Sequence, residues 1–103
     1  MSGAVHIEKQ DSGSGGRYVA RVDGRDGMAQ LAFTRRGPGL ISADHTEAPV
    51  SLRGTGVARA LVEHMIADAR ATNFKIVPVC PYVLGEVKKH PEWGDVFVTS
   101  AAT

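Results

Sequence analysis

Cys80 is the only cysteine in this 103-residue chain. An internal disulfide is therefore excluded, and the expected setting is a reducing compartment, the cytoplasm. No charge of one sign dominates. Lys plus Arg number 12 against 11 for Asp plus Glu, a formal net charge of +1. That balance argues against non-specific nucleic-acid binding, which needs a clustered basic face. No apolar run approaches the roughly 20 residues of a membrane-spanning helix. The start, MSGAVHIEKQ, lacks the basic head and apolar middle of a secretion signal. Neither His6 nor His64 has a partner at ligand spacing, and a lone cysteine adds none, so no metal site is expected. The length suits one domain with one modest core. It is expected as a monomer or weak dimer without nucleic-acid or membrane partners.

No repeat or linker divides the chain. DSGSGG (Asp11 to Gly16) reads as a flexible loop between two short strands. RYVARV (17–22) alternates like a strand, DGRDG (23–27) carries hairpin-turn chemistry, and MAQLAFT (28–34) returns with Ala29, Leu31 and Phe33 on one face. RRGPG (35–39) reads as the next turn and LISADHTEA (40–48) as the strand that completes an antiparallel meander.

From Val57 the period changes. Val57, Ala58, Leu61, Val62, Met65, Ile66 and Ala69 fall on one helical face, and Asn73 suits the C-terminal cap. FKIVPVC (74–80) reads as a buried strand containing Pro78, whose missing N–H should leave a neighbouring carbonyl unpaired. PYVLGEVKKH (81–90) predicts a second helix with Pro81 at its first position, ended by Pro91. TSAAT (99–103) predicts a frayed tail. The expected fold is α+β. It has a mostly antiparallel sheet, one right-handed βαβ unit with a parallel central strand pair, and two helices.

RGTGVA, Arg53 to Ala58, stands at the strand-to-helix junction of that unit. Exposed N–H groups at a helix N-terminus bind anions, and glycines let a phosphate come close. A turn that merely joins two elements fits the hexapeptide equally well. It is neither a P-loop, having no Gly-Lys-Ser/Thr, nor a dinucleotide fingerprint, for which the chain is too short.

Arg53-x-x-Gly56-x-Ala58 resembles the Arg/Gln-x-x-Gly-x-Gly/Ala motif of the GNAT acetyltransferase superfamily. The ordered blocks His-Thr-Glu, Arg-Gly-x-Gly, Val-Pro-x-Cys-Pro and Lys-His-Pro resemble its small YjdJ-type N-acetyltransferase domain over about Leu40 to Trp93. The resemblance implies a single minimal domain over 1–103, with a meander at 1–39 and an acetyl-CoA core at 40–93. It implies that backbone amides of Arg53, Gly54, Thr55, Gly56, Val57 and Ala58 hold the pyrophosphate of acetyl-CoA. The segment from Ala48 through Val50 to Leu52 would then run beside the pantetheine arm, and the thioester would lie between parted parallel strands.

Two residues are candidates for the chemistry. Cys80 precedes Pro81 at a helix start, where a thiolate is favoured, so it suits an acyl-accepting nucleophile. A small buried apolar residue is the other reading. His45 has the imidazole of a general base facing the gap, or it is a strand histidine bonded to a neighbour. Glu47, two residues on, shares its face and would orient the ring. Tyr82 is weighed as a proton donor to the thiolate of coenzyme A, and Lys88, Lys89 and His90 as contacts to its 3′-phosphate; packing and helix-end charge are the simpler roles. Trp93 reads as core or lid packing.

The function implied is an N-acetyltransferase passing acetyl from acetyl-CoA to an amine of a small molecule or a protein, directly or through Cys80. A non-catalytic acyl-CoA-binding module and a plain interaction domain with a structural glycine loop are the alternatives. With only turns at 23–27 and 35–39, the acceptor side is expected to be open.

Overall fold

The computed structural model describes residues 4–98; the tail expected at 99–103 lies outside them. Four strands come first: β1 (Val5–Asp11), β2 (Gly15–Val22), β3 (Ala29–Gly37) and β4 (Leu40–Glu47). After a short 3-10 turn at Val50–Leu52, helix α1 (Val57–Thr72) crosses to β5 (Lys75–Pro78). Helix α2 (Pro81–Lys89) and a 3-10 turn at Pro91–Trp93 follow. The sheet order is β1-β2-β3-β4-β5, antiparallel except for the parallel β4–β5 pair. This is the mixed sheet with two helices that the periodicities imply. The outer side of β5 is covered in turn. Ile76 N–H donates to the Val96 carbonyl and Val98 N–H to the Ile76 carbonyl, both at 2.8 Å.

Helix α1 buries Val57, Leu61, Val62, Met65, Ile66 and Ala69 in one core with Tyr18, Leu31, Phe33, Ile41 and Ala43 of the sheet. A polar clamp pins it further along. The Tyr18 hydroxyl donates to Asp68 at 2.7 Å, and Lys9 Nζ lies 2.8 Å from the same carboxylate. The Lys9 ammonium also sits 5.4–5.6 Å from the ring centres of Tyr18, Phe33 and Phe74, within cation–π range. Burial and the neighbouring Asp68 push the Tyr18 phenol well up, so it stays a donor. Asn73 ends α1 in the left-handed conformation (φ 60°), its N–H bonded to the Ala69 carbonyl, as its cap position implies.

Three boundaries differ from the pattern in the sequence. The turn expected at Arg35–Gly39 is only Pro38-Gly39, because β3 pairs with β4 as far as Gly37. The strand expected over 74–80 is only Lys75–Pro78. Gly15 and Gly16 belong to β2 rather than to a flexible loop. Composition alone made them look loose, yet neither has room for a side chain. A Cβ on Gly16 would lie 2.0 Å from the Gln10 carbonyl oxygen, a distance no side chain tolerates.

Gly16→Ala must therefore displace β1 from β2. We expect a loss of about 1–3 kcal/mol, as for other overpacked sites. At roughly 4–8 °C per kcal/mol for a domain of this size, thermal unfolding will show it clearly. Gly13→Ala, on the turn, provides the contrast: its Cβ meets nothing within 4 Å, leaving only the cost of a positive φ.

Candidate functional site

The site begins where β4 and β5 part. Their pairing runs from Leu40↔Lys75 to Ala43↔Pro78 and stops. Strand β4 continues to Glu47 on β3, while the chain beyond Pro78 turns away and enters α2. Pro78 was expected to open this split by withholding a donor. It does not. Lys75 N–H bonds the Gly39 carbonyl beside β4 and Ile76 N–H bonds Val96 on the other edge. By strand alternation Pro78 faces that outer edge too. On the neighbouring strand, where a carbonyl was expected to be free, the Ala43 carbonyl opposite Pro78 accepts from Cys80 N–H at 2.8 Å. The split arises because the chain turns at Val79, whose N–H bonds the Val77 carbonyl, and Cys80 makes the last link.

A bulge in β4 decides which side chains face the split. Pairing with β3 jumps from Phe33↔Ala43 to Ala32↔His45, leaving Asp44 as the extra residue. Strict alternation from buried Ile41 and Ala43 would send His45 to the α1 side. The bulge reverses the parity. Thr46 is paired with Leu31 and faces the α1 side, and His45 turns to the opposite face with Glu47.

Cys80 is 4 % exposed and forms the N-cap of α2. Its Sγ lies 3.4 Å from the Thr46 hydroxyl. Burial pushes the thiol up, but the Thr46 hydroxyl and the amides of Val83, Tyr82 and Thr46 outweigh it and hold the thiol below its ordinary 9.0. No first-turn N–H has hydrogen-bond geometry to Sγ, so the amides of Tyr82 and Val83 act through their field. Sequence reasoning did not single out Thr46, since its facing depends on a bulge that no residue type announces.

On the other face, His45 Nε2 lies 3.0 Å from Glu47, and both side chains are more than half exposed. His45, and then Gln30 at 2.8 Å, lower the Glu47 carboxyl. His45 and Cys80 are thus on opposite sides of one strand. A split passes through a sheet, so a group lodged in it is reachable from both faces. Beyond the end of β4 lies an open groove of about 510 Å³ lined by Met28, Thr46, Glu47, Ala48 and Pro49. The 23–27 turn docks on the 49–51 segment beside it. Ser51 Oγ donates to the Asp26 carbonyl at 2.7 Å, and Arg25 donates to the Ser51 carbonyl at 2.9 Å.

The glycine loop joins the split to α1. Gly54 (φ 82°) and Gly56 (φ 76°) are both left-handed, and a Cβ on either would meet nothing within 4 Å. The glycines serve the turn and leave the space before the helix clear. Not every amide from Arg53 to Ala58 is available. Arg53 N–H bonds the Val50 carbonyl and Thr55 N–H the Leu52 carbonyl. The first bond of α1 is Ala60 N–H to the Gly56 carbonyl, so the amides of Val57, Ala58 and Arg59 lack intrahelical acceptors. No acidic residue lies in the first turn to compete for them. Leu52 and Val57 are buried and offer only backbone; Arg53 is exposed, and Val50 is 75 % exposed. The 48–52 segment expected beside pantetheine is folded as a 3-10 turn from Val50.

The remaining candidates make local contacts. Burial and Glu86 raise the Tyr82 phenol, which is 38 % exposed on the first turn of α2. Lys89 lies 3.7 Å from Glu86; His90 stacks on buried Trp93 at 4.2 Å and bonds Glu92. His6 pairs with Asp23, and His64 meets the Tyr18 ring edge-on. No cluster of metal-ligating side chains occurs among the described residues. No helix there is long and apolar enough to cross a membrane.

A family model described as GCN5-related N-acetyl-transferase matches residues 17–96. The chain is 27% identical over 75 residues to Protein NATD1 of Gallus gallus and of Homo sapiens, covering 73% of this chain and 68% and 66% of those proteins. The NMR structure of a GCN5-like protein from Staphylococcus aureus aligns with TM-score 0.64 at 20% identity, over 91% of this chain and 90% of that one. That likeness shows a shared fold.

Thr46→Val keeps the shape at Cys80 and removes the hydroxyl. The thiol should then titrate at higher pH than in the wild type, followed by the ultraviolet absorbance of the thiolate. An unchanged midpoint would mean that Thr46 does not acidify Cys80.

Proposed function

The chain belongs to the GCN5-related N-acetyltransferase family, and from that premise we propose that it binds acetyl-CoA at the 53–58 loop and acetylates an amine. Bound acetyl-CoA would supply an acetyl group activated as a thioester. The observation that carries this reading is the clear space before α1, with three unpartnered amides, two left-handed glycines and no competing carboxylate. The helix dipole and these donors suit a diphosphate. The amides of Val57, Ala58 and Arg59 would hold it, with Gly54 and Gly56 giving clearance and the Arg53 guanidinium adding charge. Thr55 supports the loop itself, since both its hydroxyl and its N–H bond the Leu52 carbonyl. Ala48, exposed Val50 and the Leu52 backbone would border the arm that leads to the split.

An amine must lose a proton as its nitrogen is acylated. We assign that proton to His45, braced by Glu47, on the face from which the acceptor approaches. Cys80 meets the split from the α1 side. Its acidified thiol suits either of two tasks, lining the thioester or carrying the acetyl group before the amine receives it. A free thiol in this role suits a reducing compartment such as the cytoplasm.

Acetyl-CoA at a hundred times its Kd should stabilise the fold by about 2.7 kcal/mol, seen as a raised Tm. Gly56→Trp should lose that shift while keeping its helix content by circular dichroism. No shift for the wild type at millimolar acetyl-CoA would overturn the reading. Binding of acetyl-CoA without release of its thiol in the presence of any amine would instead mark a non-catalytic acyl-CoA-binding module.

Removing the base, His45→Ala, should lower kcat about 10²- to 10⁴-fold and leave the acetyl-CoA shift in place. Intact-protein mass spectrometry after incubation should show a labile acetyl adduct if Cys80 carries the group. Full activity in Cys80→Ser would exclude that route.

A further inference from the structure

The sheet face that carries His45 holds a second groove, of about 460 Å³, lined by Gln10, Asp11, Ser12, Gly16, Arg17 and Ala32. Ala32 pairs with Arg17 on β2 and with His45 on β4, so all three side chains point to one face. Arg17 and His45 are two strand spacings apart, about 10 Å between Cα atoms. In that row only the Ala32 methyl stands between them, while Gln30, on the same face of β3, reaches both Arg17 and Glu47 beside it.

The state of Arg17 is unusual. Its side chain is half-buried, yet no carboxylate lies within ion-pair distance among the described residues. It is braced by two neutral amides: Nε donates to Gln10 Oε1 at 2.8 Å and Nη1 to Gln30 Oε1 at 2.7 Å. The carboxylates that could neutralise it are engaged elsewhere. Asp11 pairs with Arg35 and accepts from the Gly13 N–H at 2.9 Å. Glu47 is held by His45 and Gln30. Ordinarily a partly buried guanidinium takes an acid. Here two glutamines fix its plane and leave its charge uncompensated, with the rest of the fork free toward the groove.

We propose that Arg17 is the anion-recognition residue of the acceptor subsite, and that the acceptor is an amine carrying a carboxylate. The carboxylate meets Arg17 over Ala32, and the amine nitrogen lies toward His45 and the split. Charge-assisted bonds of this kind give both affinity and orientation. The proposal rests on the acetyltransferase reading for the fate of the amine, but not for the binding of the anion.

The test uses the full chain with isotope-labelled alanine methyl groups. Butyrate should shift the Ala32 methyl signal of the wild type, and uncharged butyramide should not. Arg17→Met should lose the response and Arg17→Lys should keep part of it. In the transfer assay, γ-aminobutyrate should be preferred to γ-aminobutyramide. Arg17→Met should raise KM for the acid about tenfold to a hundredfold, the range of a charged hydrogen bond, with kcat and the amide's KM unchanged. A blocked lysyl-aspartate dipeptide, set against its lysyl-asparagine counterpart, decides whether the carboxylated amine is free or protein-borne; a preference for either acid supports the proposal. An unmoved Ala32 signal, an equal response to butyramide, or an Arg17→Met variant that binds butyrate like the wild type overturns it. If acetyl-CoA fails to bind, the acetyltransferase reading falls while the methyl titration still judges Arg17.

Discussion

The pairing of β4 with β5 ends at Ala43 and Pro78, and the rest of the site follows from that one interruption. A continuous parallel pair would bury its backbone groups in each other and leave no room at mid-sheet. Here β4 runs on to Glu47 supported only by β3, so its other edge from Asp44 onward faces an opening. The same interruption aims α2. With Cys80 N–H bonded to the Ala43 carbonyl, the helix starts at the point where the strands separate. A thiol at that N-cap therefore lies against Thr46, the strand residue that has just lost its neighbour.

The bulge at Asp44 gives the opening two unlike sides. Without it, His45 would share the α1 face with Ala43, and an imidazole would press into an apolar core. With it, the buried side receives Thr46 and the thiol, and the polar face receives His45 and Glu47. A nucleophile or liner and a base can then serve one group in the split from opposite directions without touching each other. The glycine loop completes the arrangement, because the helix that crosses between β4 and β5 presents its N-terminal amides beside the same opening. One crossover thus provides both the unpartnered amides of α1 and the split, and the segment from Val50 to Gly56 joins them.

Much of this was legible in the sequence because it is encoded in periodicity and in residues with restricted backbones. The α1 face from Val57 to Ala69, its Asn73 cap and Pro81 at the start of α2 are all as their patterns imply. The loop from Arg53 to Ala58 was legible as a motif. Its two inward-turned amides were not, since a 3-10 turn at Val50–Leu52 has no strong signature. The side of β4 on which His45 stands was not legible either, because a bulge changes parity without changing composition. Pro78 misled for a related reason. Its missing donor is certain, but which edge it faces depends on register. Gly16 read as part of a flexible loop and proved to be a close contact, and nothing in the strand pattern RYVARV marks Arg17, whose uncharged partners are visible only in the fold.

A thiol that is acidified by its surroundings and yet only 4 % exposed discriminates by size. Thiolate character makes Cys80 intrinsically ready for oxidation or alkylation, but reaction requires passage past Thr46 and the mouth of the split. Burial of this degree favours small oxidants such as hydrogen peroxide over bulky disulfides and alkylating reagents. Whatever fills the split acts as a stopper as well, so occupancy shields the sulfur and vacancy exposes it to small oxidants.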